Sequence, residues 1–416
     1  MSPRVTGGGT TVRIAWRSLW RNPRRTSLAL AAISLSVTLV LAYTSVLRAY
    51  GDWIVDTITG PMLGHVQAHA PGWRTDRLMD RTLRDVDRML RQIRQDPAVA
   101  SATARLYAPA LAARAEEGFA VIVIGIDVAA ESGPARLLPP PHGTLRPRDV
   151  LVGQQLGESM GLHAGDQLAV VGQGVDGSLA NDLFTVAALV TTPVDLVNRQ
   201  GVVIDLTEAQ TLFAMPGEAH ELVIHSARPA EASALAARVA ALPLLKETEV
   251  LDWETLAPEM VSLIDIVDIA GVLVLILVFV AAIAGVANTM LMATFERTRE
   301  FGMLLALGIR PARIVLLVLI ESLALGTIGA LIGAAAGIML VAVTHRTGID
   351  YATLTGGGPS ELSFAGLRWS LRFYPTLATI DVIRAAGAVG VTSLLAAAWP
   401  ALRASRQEPA RSLRGL

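Results

Sequence analysis

The sequence predicts an α-helical membrane protein with four transmembrane helices plus a large α+β extracytoplasmic domain. Three observations carry this. The chain of 416 residues is 52% hydrophobic and only 17% charged, below the roughly 25% charge of soluble domains, and its mean hydropathy is +0.49. Its apolar residues are gathered into four runs long enough to span ~30 Å of hydrocarbon, which takes about 20 residues each. Between the first run and the second, residues 48–262 mix strand-like and helix-like patterns.

Each element can be justified in turn. Residues 1–27 form a cytoplasmic interfacial amphipathic helix. Trp16 and Trp20 are four apart, as are Arg13, Arg17 and Arg21, so rings face acyl chains while guanidiniums face headgroups. A simple topology anchor would use the same residues. Pro23 marks the bend into the first span. That span, residues 28–47 ("LALAAISLSVTLVLAYTSVL"), reads as an uncleaved anchor. Its apolar core is too long for a signal peptide, and no small-residue cleavage site precedes Arg48 and Tyr50. Residues 263–292 form the second span with a stalk, 293–313 a cytoplasmic loop, and 314–343 the third span. The third reaches about 45 Å at 1.5 Å per residue, so it tilts or projects. Residues 344–381 form an extracytoplasmic loop, 382–402 the fourth span and 403–416 a cytoplasmic tail.

Arginine placement orients these spans. Arg24 and Arg25 precede the first, Arg297, Arg299, Arg310 and Arg313 fill the short loop after the second, and Arg403, Arg406, Arg411 and Arg414 follow the fourth. Cations favour the cytoplasmic side, so both termini are expected inside and the large domain outside, as in a multi-pass plasma-membrane protein.

Within residues 48–262, "TDRLMDRTLRDVDRMLRQIRQD" places Leu78, Val86, Met89, Leu90 and Ile93 on one face of an amphipathic helix. "FAVIVIGID", "QLAVVG", "LFTVAALV" and "QGVVIDL" read as strands, and "LVIHSARPAEASALAARVAAL" as an outer strand leading into a returning helix. His65 and His69 read as surface histidines, because a zinc site needs three or four ligands and no third is recognisable nearby. "GQGVDG" (172–177) matches a dinucleotide fingerprint, but a strand-like run rather than a helix follows, so it reads as a hairpin loop. Asp265 and Asp268 are expected to cap the second span.

Several classes of function are disfavoured. The net charge of −1 gives no basic field for nucleic acid. There is no cysteine, hence neither disulfide nor thiolate metal site. The single lysine, Lys246 in "LPLLKETE", lacks the glycines of a phosphate-binding loop, so the chain holds no Walker A motif. No Ser-His-Asp, H-E-x-x-H or paired-carboxylate arrangement stands out, and the chain is not read as an enzyme by itself.

The membrane portion carries the more informative residues. In "FERTREFGMLLALG", Phe301, Leu304 and Leu305 share a helical face, while Glu296, Arg297, Arg299 and Glu300 cluster beside it, punctuated by Gly302 and Gly308. A solvated hairpin would need the arginines but not the glutamates. Gly329, Gly333 and Gly337 repeat the G-x-x-x-G spacing that lets helices approach closely, within one chain or in a dimer. Glu321 lies inside the third span, where a carboxylate faces protein or water.

"ERTREFGMLLALG", "AWRSLWRNPRRTSLAL" and "WPALRASRQEPARSLR" resemble the corresponding segments of the FtsX-like permeases, which include the lipoprotein-releasing permeases LolC and LolE and the membrane part of MacB. "VLVGQQLGESMGLHAGDQLAVV" and "FTVAALVTTPVDLVNRQGVVIDLTEAQTLF" are similar to parts of the LolC and LolE ectodomains. The resemblance implies an ABC transporter permease whose loop after the second span is a coupling helix for a separate ATPase subunit. That role falls on Glu296, Arg297, Arg299, Glu300, Phe301, Gly302, Leu304 and Gly308. It implies two ectodomain subdomains, a structural or coupling role for Glu321, and an N-terminal helix along the inner leaflet. No cofactor is expected in this chain, with ATP and Mg bound by the partner ATPase. Further partners implied are a second copy or a sister permease, membrane lipids, a lipoprotein substrate and a periplasmic carrier or adaptor. Substrate contacts would by analogy fall near Tyr50, Trp53 and Met260. The implied work is mechanotransmission, most closely lipoprotein release. MacB-like efflux and FtsX-like control of a cell-wall hydrolase are the alternatives, and the ectodomain is large for FtsX itself.

Overall fold

The computed structural model describes residues 23–114, 117–133, 136–138, 145–350, 361–364, 367–370 and 372–406. The interfacial-helix residues Arg13, Trp16, Arg17, Trp20 and Arg21, and the tail beyond Arg406, lie outside these. The chain divides into two units, one of residues 52–263 with 351–371, the other of residues 1–51, 264–350 and 372–416.

Helix α1 (Pro23–Ile58) has 36 residues, about 54 Å at 1.5 Å per residue, so it outruns the apolar stretch that identified it. A π-type turn (Thr59–Leu63) ends it, closed by Gly64 N donating to Thr59 O at 2.7 Å. Gly64 has φ +65°, and a Cβ there would meet Val223 Cγ1 at 2.7 Å and Ile224 O at 2.9 Å. Only glycine fits both the conformation and the approach.

A nine-stranded sheet follows. Its elements are β1 (Val66–His69), helix α2 (Val86–Ile93), β2 (Val99–Arg114), β3 (Glu117–Ile126), β4 (Asp149–Gly153), β5 (Gln167–Gln173), β6 (Leu179–Val190), β7 (Gly201–Asp205), β8 (Glu221–Ser226), helix α3 (Ala232–Ala240) and β9 (Glu249–Asp252). The order is β3-β7-β4-β6-β5-β2-β8-β1-β9, and β2 also pairs with β3. That extra pairing closes β2, β3, β7, β4, β6 and β5 into a ring around one core that includes Leu106, Val123, Val152, Ile204 and Phe213. A second core, with Val66, Val86, Ile93, Leu222 and Leu235, lies where α2 and α3 cover β8 and β1. Strand β2 serves both. Its residues 99–105 pair with β8 and its residues 105–114 with β3.

Three expectations are corrected in this domain. The amphipathic helix is confined to Val86–Ile93, because Asp85 adopts φ 55° and Leu83 instead exchanges backbone hydrogen bonds with Ala219. Leu78 is accordingly outside it and exposed. Strand β8 is not an outer strand but is flanked by β2 and β1 with all six residues buried. His65 and His69 are not surface residues, for both are buried in or beside β1. The "GQGVDG" segment is the β5–β6 hairpin loop, with Gly174 N donating to Ser178 O at 2.9 Å.

The other unit is built from the greater part of α1 and of α4 (Pro258–Glu296), with α5 (Thr298–Ala306), α6 (Pro311–Thr347) and α7 (Thr379–Ser405). Four described helices, α1, α4, α6 and α7, are long and apolar enough to cross a membrane. Helix α4 begins at Pro258, so Asp265 and Asp268 lie inside its early turns rather than at its N-terminus. Helix α6 is the most enclosed of the four, packing on α1 and α7. Its glycines explain how closely α1 lies. A Cβ on Gly329 would meet Ile33 Cγ2 at 2.6 Å, on Gly333 Ser34 O at 2.5 Å, and on Gly337 Leu41 Cδ1 at 2.9 Å. Thr38 Oγ1 donates to Gly333 O at 3.1 Å across this seam. At the far end of α1, Arg48 reaches Asp381 of α7 at 2.9 Å.

Candidate functional site

The segment between α4 and α6 is a short helix with defined stops. Arg297 has φ −102° and ψ 13°, which interrupts the helical path between Glu296 and Thr298. At the other end Gly308 N donates to Leu305 O at 3.0 Å and Ile309 N to Leu304 O at 3.1 Å, with Gly308 at φ +86°. This paired termination requires a left-handed residue, hence glycine. Pro311 then opens α6 in a position where no N–H is needed.

One face of α5 is anchored. Phe301 is 1% exposed and packs with Ile314, Leu317 and Val318 of α6 and Ala397, Ala401 and Ala404 of α7. Leu304 is partly buried against the same cluster, and Gly302 is buried within α5. Arg297 Nη1 donates to Glu321 Oε2 at 2.8 Å, its Nε to Glu300 Oε2 at 3.2 Å, and its guanidinium lies 5.1 Å from the Phe301 ring centre. Glu321, 4% exposed, thus has a charged partner on the segment that begins α5. Arg403 of α7 sits over Phe295 and Trp399 at 4.8 and 5.5 Å. The opposite face presents Glu296, Arg299, Met303 and Leu307, the last 80% exposed.

The eight loop residues therefore divide. Arg297, Phe301 and Leu304 hold α5 on α6 and α7, Gly302 is buried within it, Gly308 ends it, Glu300 braces Arg297, and Glu296 and Arg299 face outward. The sequence did not flag Met303 or Leu307, whose exposure on a helix with a buried opposite face was readable from its period. Nor did it join Arg297 to Glu321, 24 residues away.

A second polar cluster, in the ectodomain, carried no motif at all. Arg105, 1% exposed, donates from Nε to Glu131 Oε1 and from Nη2 to Glu131 Oε2, both at 2.9 Å. Its Nη1 reaches Met62 O at 2.8 Å and its Nη2 reaches Pro61 O at 3.1 Å. Glu221 lies 3.7 Å away and accepts from Tyr107 Oη at 2.7 Å. Burial pulls the guanidinium toward neutrality, but Glu131, with Tyr107 and Glu221, outweighs it and holds Arg105 charged. Burial raises Glu131, whereas Arg105 lowers it further, leaving a carboxylate. Nearby, burial and Arg136 push His65 down to about 4, and burial with Arg136 pushes His225 down to about 3. Among the described residues no group of three or more His, Cys, Asp or Glu could hold a metal ion.

Comparison with known proteins gives the family. Residues 26–242 match the MacB-like periplasmic core domain and residues 272–409 the FtsX-like permease C-terminal model. The lipoprotein-releasing system transmembrane protein LolC of Neisseria meningitidis is 24% identical over 274 residues, 64% of this chain and 65% of that one. The macrolide export ATP-binding/permease protein MacB of Brucella abortus is 33% identical over 129 residues, 31% of this chain and 16% of that one. The alignments thus span less than two thirds of either relative. The periplasmic region of MacB from Actinobacillus actinomycetemcomitans aligns at a TM-score of 0.34 and 10% identity, over 47% of this chain and 91% of that one. With four apolar helices and an ectodomain of the MacB core type, this membrane protein belongs to the FtsX-like permeases with a MacB-like periplasmic core domain, the ABC transporter permeases of the LolC and MacB type.

Proposed function

We propose that this chain is the membrane subunit of an ABC transporter that releases lipoproteins from the outer leaflet by mechanotransmission, driven by a separate ATPase that binds ATP and Mg. The observation that carries the reading is α5. It is a rigid helix with one face locked onto α6 and α7 and the other, with Arg299, Met303 and Leu307, turned outward. A body so held can pass a displacement to the spans without deforming. Glu321 and Arg297 form the strut between α5 and α6, and the glycine seam of α6 keeps α1 in step. Both termini lie in the cytoplasm, and the ectodomain, in two lobes sharing β2, works outside. Four spans are few for an enclosed pathway, so the chain pairs with a copy of itself or a sister permease and hands cargo to a periplasmic carrier. Similarity to LolC along 64% of the chain supports the lipoprotein cargo.

The match of residues 26–242 to the MacB-like core favours a second reading, efflux of a small molecule or peptide through an adaptor. Gentle extraction followed by mass spectrometry of everything that co-purifies separates the two. An ATPase with a triacylated protein supports release, and an ATPase with a periplasmic adaptor supports efflux. Retention of the ATPase by a variant with Arg299→Glu and Leu307→Asp would refute the docking role of α5.

A further inference from the structure

A cleft of about 460 Å³ opens in the ectodomain unit, within the roughly 300–1,000 Å³ of small-molecule sites. Its walls are uneven in character. Met62, Ile122, Ile124, Leu137, Val194 and Leu196 supply an apolar side. Three arginines, Arg74, Arg77 and Arg105, with the Glu221 carboxylate beside Arg105, supply the other. Arg105 is neutralised by Glu131 and Glu221. The remaining two are not matched in the same way. Arg74, half-buried, donates only to neutral oxygens, Gln67 Oε1 and Leu256 O, each at 3.2 Å. Arg77 lies over the Trp73 ring at 4.2 Å, held there by a backbone at φ 52°. Among the described residues neither makes an ion pair with a carboxylate. Burial and the neighbouring Arg77 work against the charge on Arg74, and Glu221 and Glu249 only partly offset them, so an anion placed beside it would add to that support and gain charge-assisted hydrogen bonds. The Trp73 ring under Arg77 is buried and stacked on Tyr107 and His220 at 5.9 and 5.5 Å, which fixes that part of the wall.

We infer that this cleft binds a single-chain anionic amphiphile of the fatty-acid class, its carboxylate between Arg74 and Arg77 and its chain along Met62, Ile122 and Leu196. Two guanidiniums that make no carboxylate ion pair among the described residues, beside an apolar wall, complement a ligand that is anionic at one end and apolar along the rest. Neutral amphiphiles would leave the arginines unmatched, and short anions would leave the apolar wall in water. The site belongs to a different unit of the chain from α5 and does not depend on which cargo the transporter carries.

The test is photocrosslinking of the full chain in lipid nanodiscs with a diazirine-bearing palmitate, mapped by peptide mass spectrometry. Adducts are expected on the peptides containing Met62 and Ile122, competed by palmitate and not by hexadecanol. Arg74→Gln with Arg77→Gln should reduce these adducts at least tenfold while labelling of the spanning helices stays unchanged. Leu196→Trp, at an exposed wall position, should block them with both arginines intact, and it decides the matter if the double variant fails to fold. Labelling confined to the spanning helices, equal competition by hexadecanol, or ectodomain adducts that survive Leu196→Trp would overturn the assignment.

Discussion

Replacing Arg105 by methionine removes a cation from the point where β2 changes partners. Arg105 opposes Ile126 of β3 on one side and Glu221 of β8 on the other. Its guanidinium makes four hydrogen bonds, two to Glu131 and two to the carbonyls of Pro61 and Met62. In Arg105→Met the Glu131 carboxylate, 0% exposed, is left with Thr103 Oγ1 at 2.6 Å but with no guanidinium. Breaking one side of a buried pair in this way costs about 3–5 kcal/mol. For a domain of 150–250 residues each kcal/mol moves the melting temperature by about 2–4 °C, which predicts a fall of roughly 6–20 °C. Intrinsic tryptophan fluorescence of the full chain during heating reports it, because Trp73 and Trp253 are both buried in this unit. The double change Arg105→Met with Glu131→Leu removes both charges and should recover most of the loss. A single variant melting within 2 °C of the wild type would show that the buried pair does not hold the domain together as argued, and a double variant no better than the single would refute the charge-based account.

Three further outcomes are expected. Glu321→Gln should loosen α5 on α6, so that amides of 301–307 exchange with deuterium at least tenfold faster, with partial recovery when the charges are swapped as Arg297→Glu and Glu321→Arg; unchanged exchange would count against the strut. Gly333→Leu should destabilise the helical unit by at least 1–3 kcal/mol through overpacking, because its Cβ alone already meets Ser34 O at 2.5 Å, whereas Gly390→Ala, with nothing within 4 Å, should leave thermal stability in detergent unchanged or slightly higher. His65 and His225 fold neutral with pKa values near 4 and 3, below the ordinary 6.5, so the unfolded chain binds more protons and stability falls as pH drops from about 6.5 toward 4. Glu131, held low by Arg105, contributes its own loss only below its ordinary 4.5, and melting curves of His65→Gln with His225→Gln should be flatter between pH 6.5 and 4.5.

The parts of this fold that were legible in the sequence are those set by local composition. Long apolar runs have few alternatives, and "FAVIVIGID" or "QLAVVG" declare strands through β-branched content. The lengths of α1 and α4 were not legible. Their polar ends carry no hydropathy signal, and a helix continues past the bilayer wherever nothing stops it. Residues 75–96 misled because their apolar spacing is helical throughout, yet the pairing of Leu83 with Ala219 removes Leu83 from the helix and Asp85 restarts it. The Arg105–Glu131 and Arg297–Glu321 pairs join residues 26 and 24 apart, a separation that periodicity does not reach. What periodicity did offer for α5 was its apolar face. The roles assigned to that helix came from the family resemblance.

The first and last strands of the ectodomain sheet have a mechanical consequence. Strand β1 pairs with β9 so that Val66 faces Asp252, and Trp253 N donates to His65 O at 3.1 Å. The chain therefore enters and leaves the sheet side by side, at the same end of an antiparallel pair. A load that moves both ends together finds no weak direction in this joint, since it is borne by the whole sheet at once. A load that separates them acts along the hydrogen bonds, which lie perpendicular to antiparallel strands, and opens them one after another from the Trp253 end, as a zipper opens. The ectodomain is thus stiff to being carried and compliant to being prised apart.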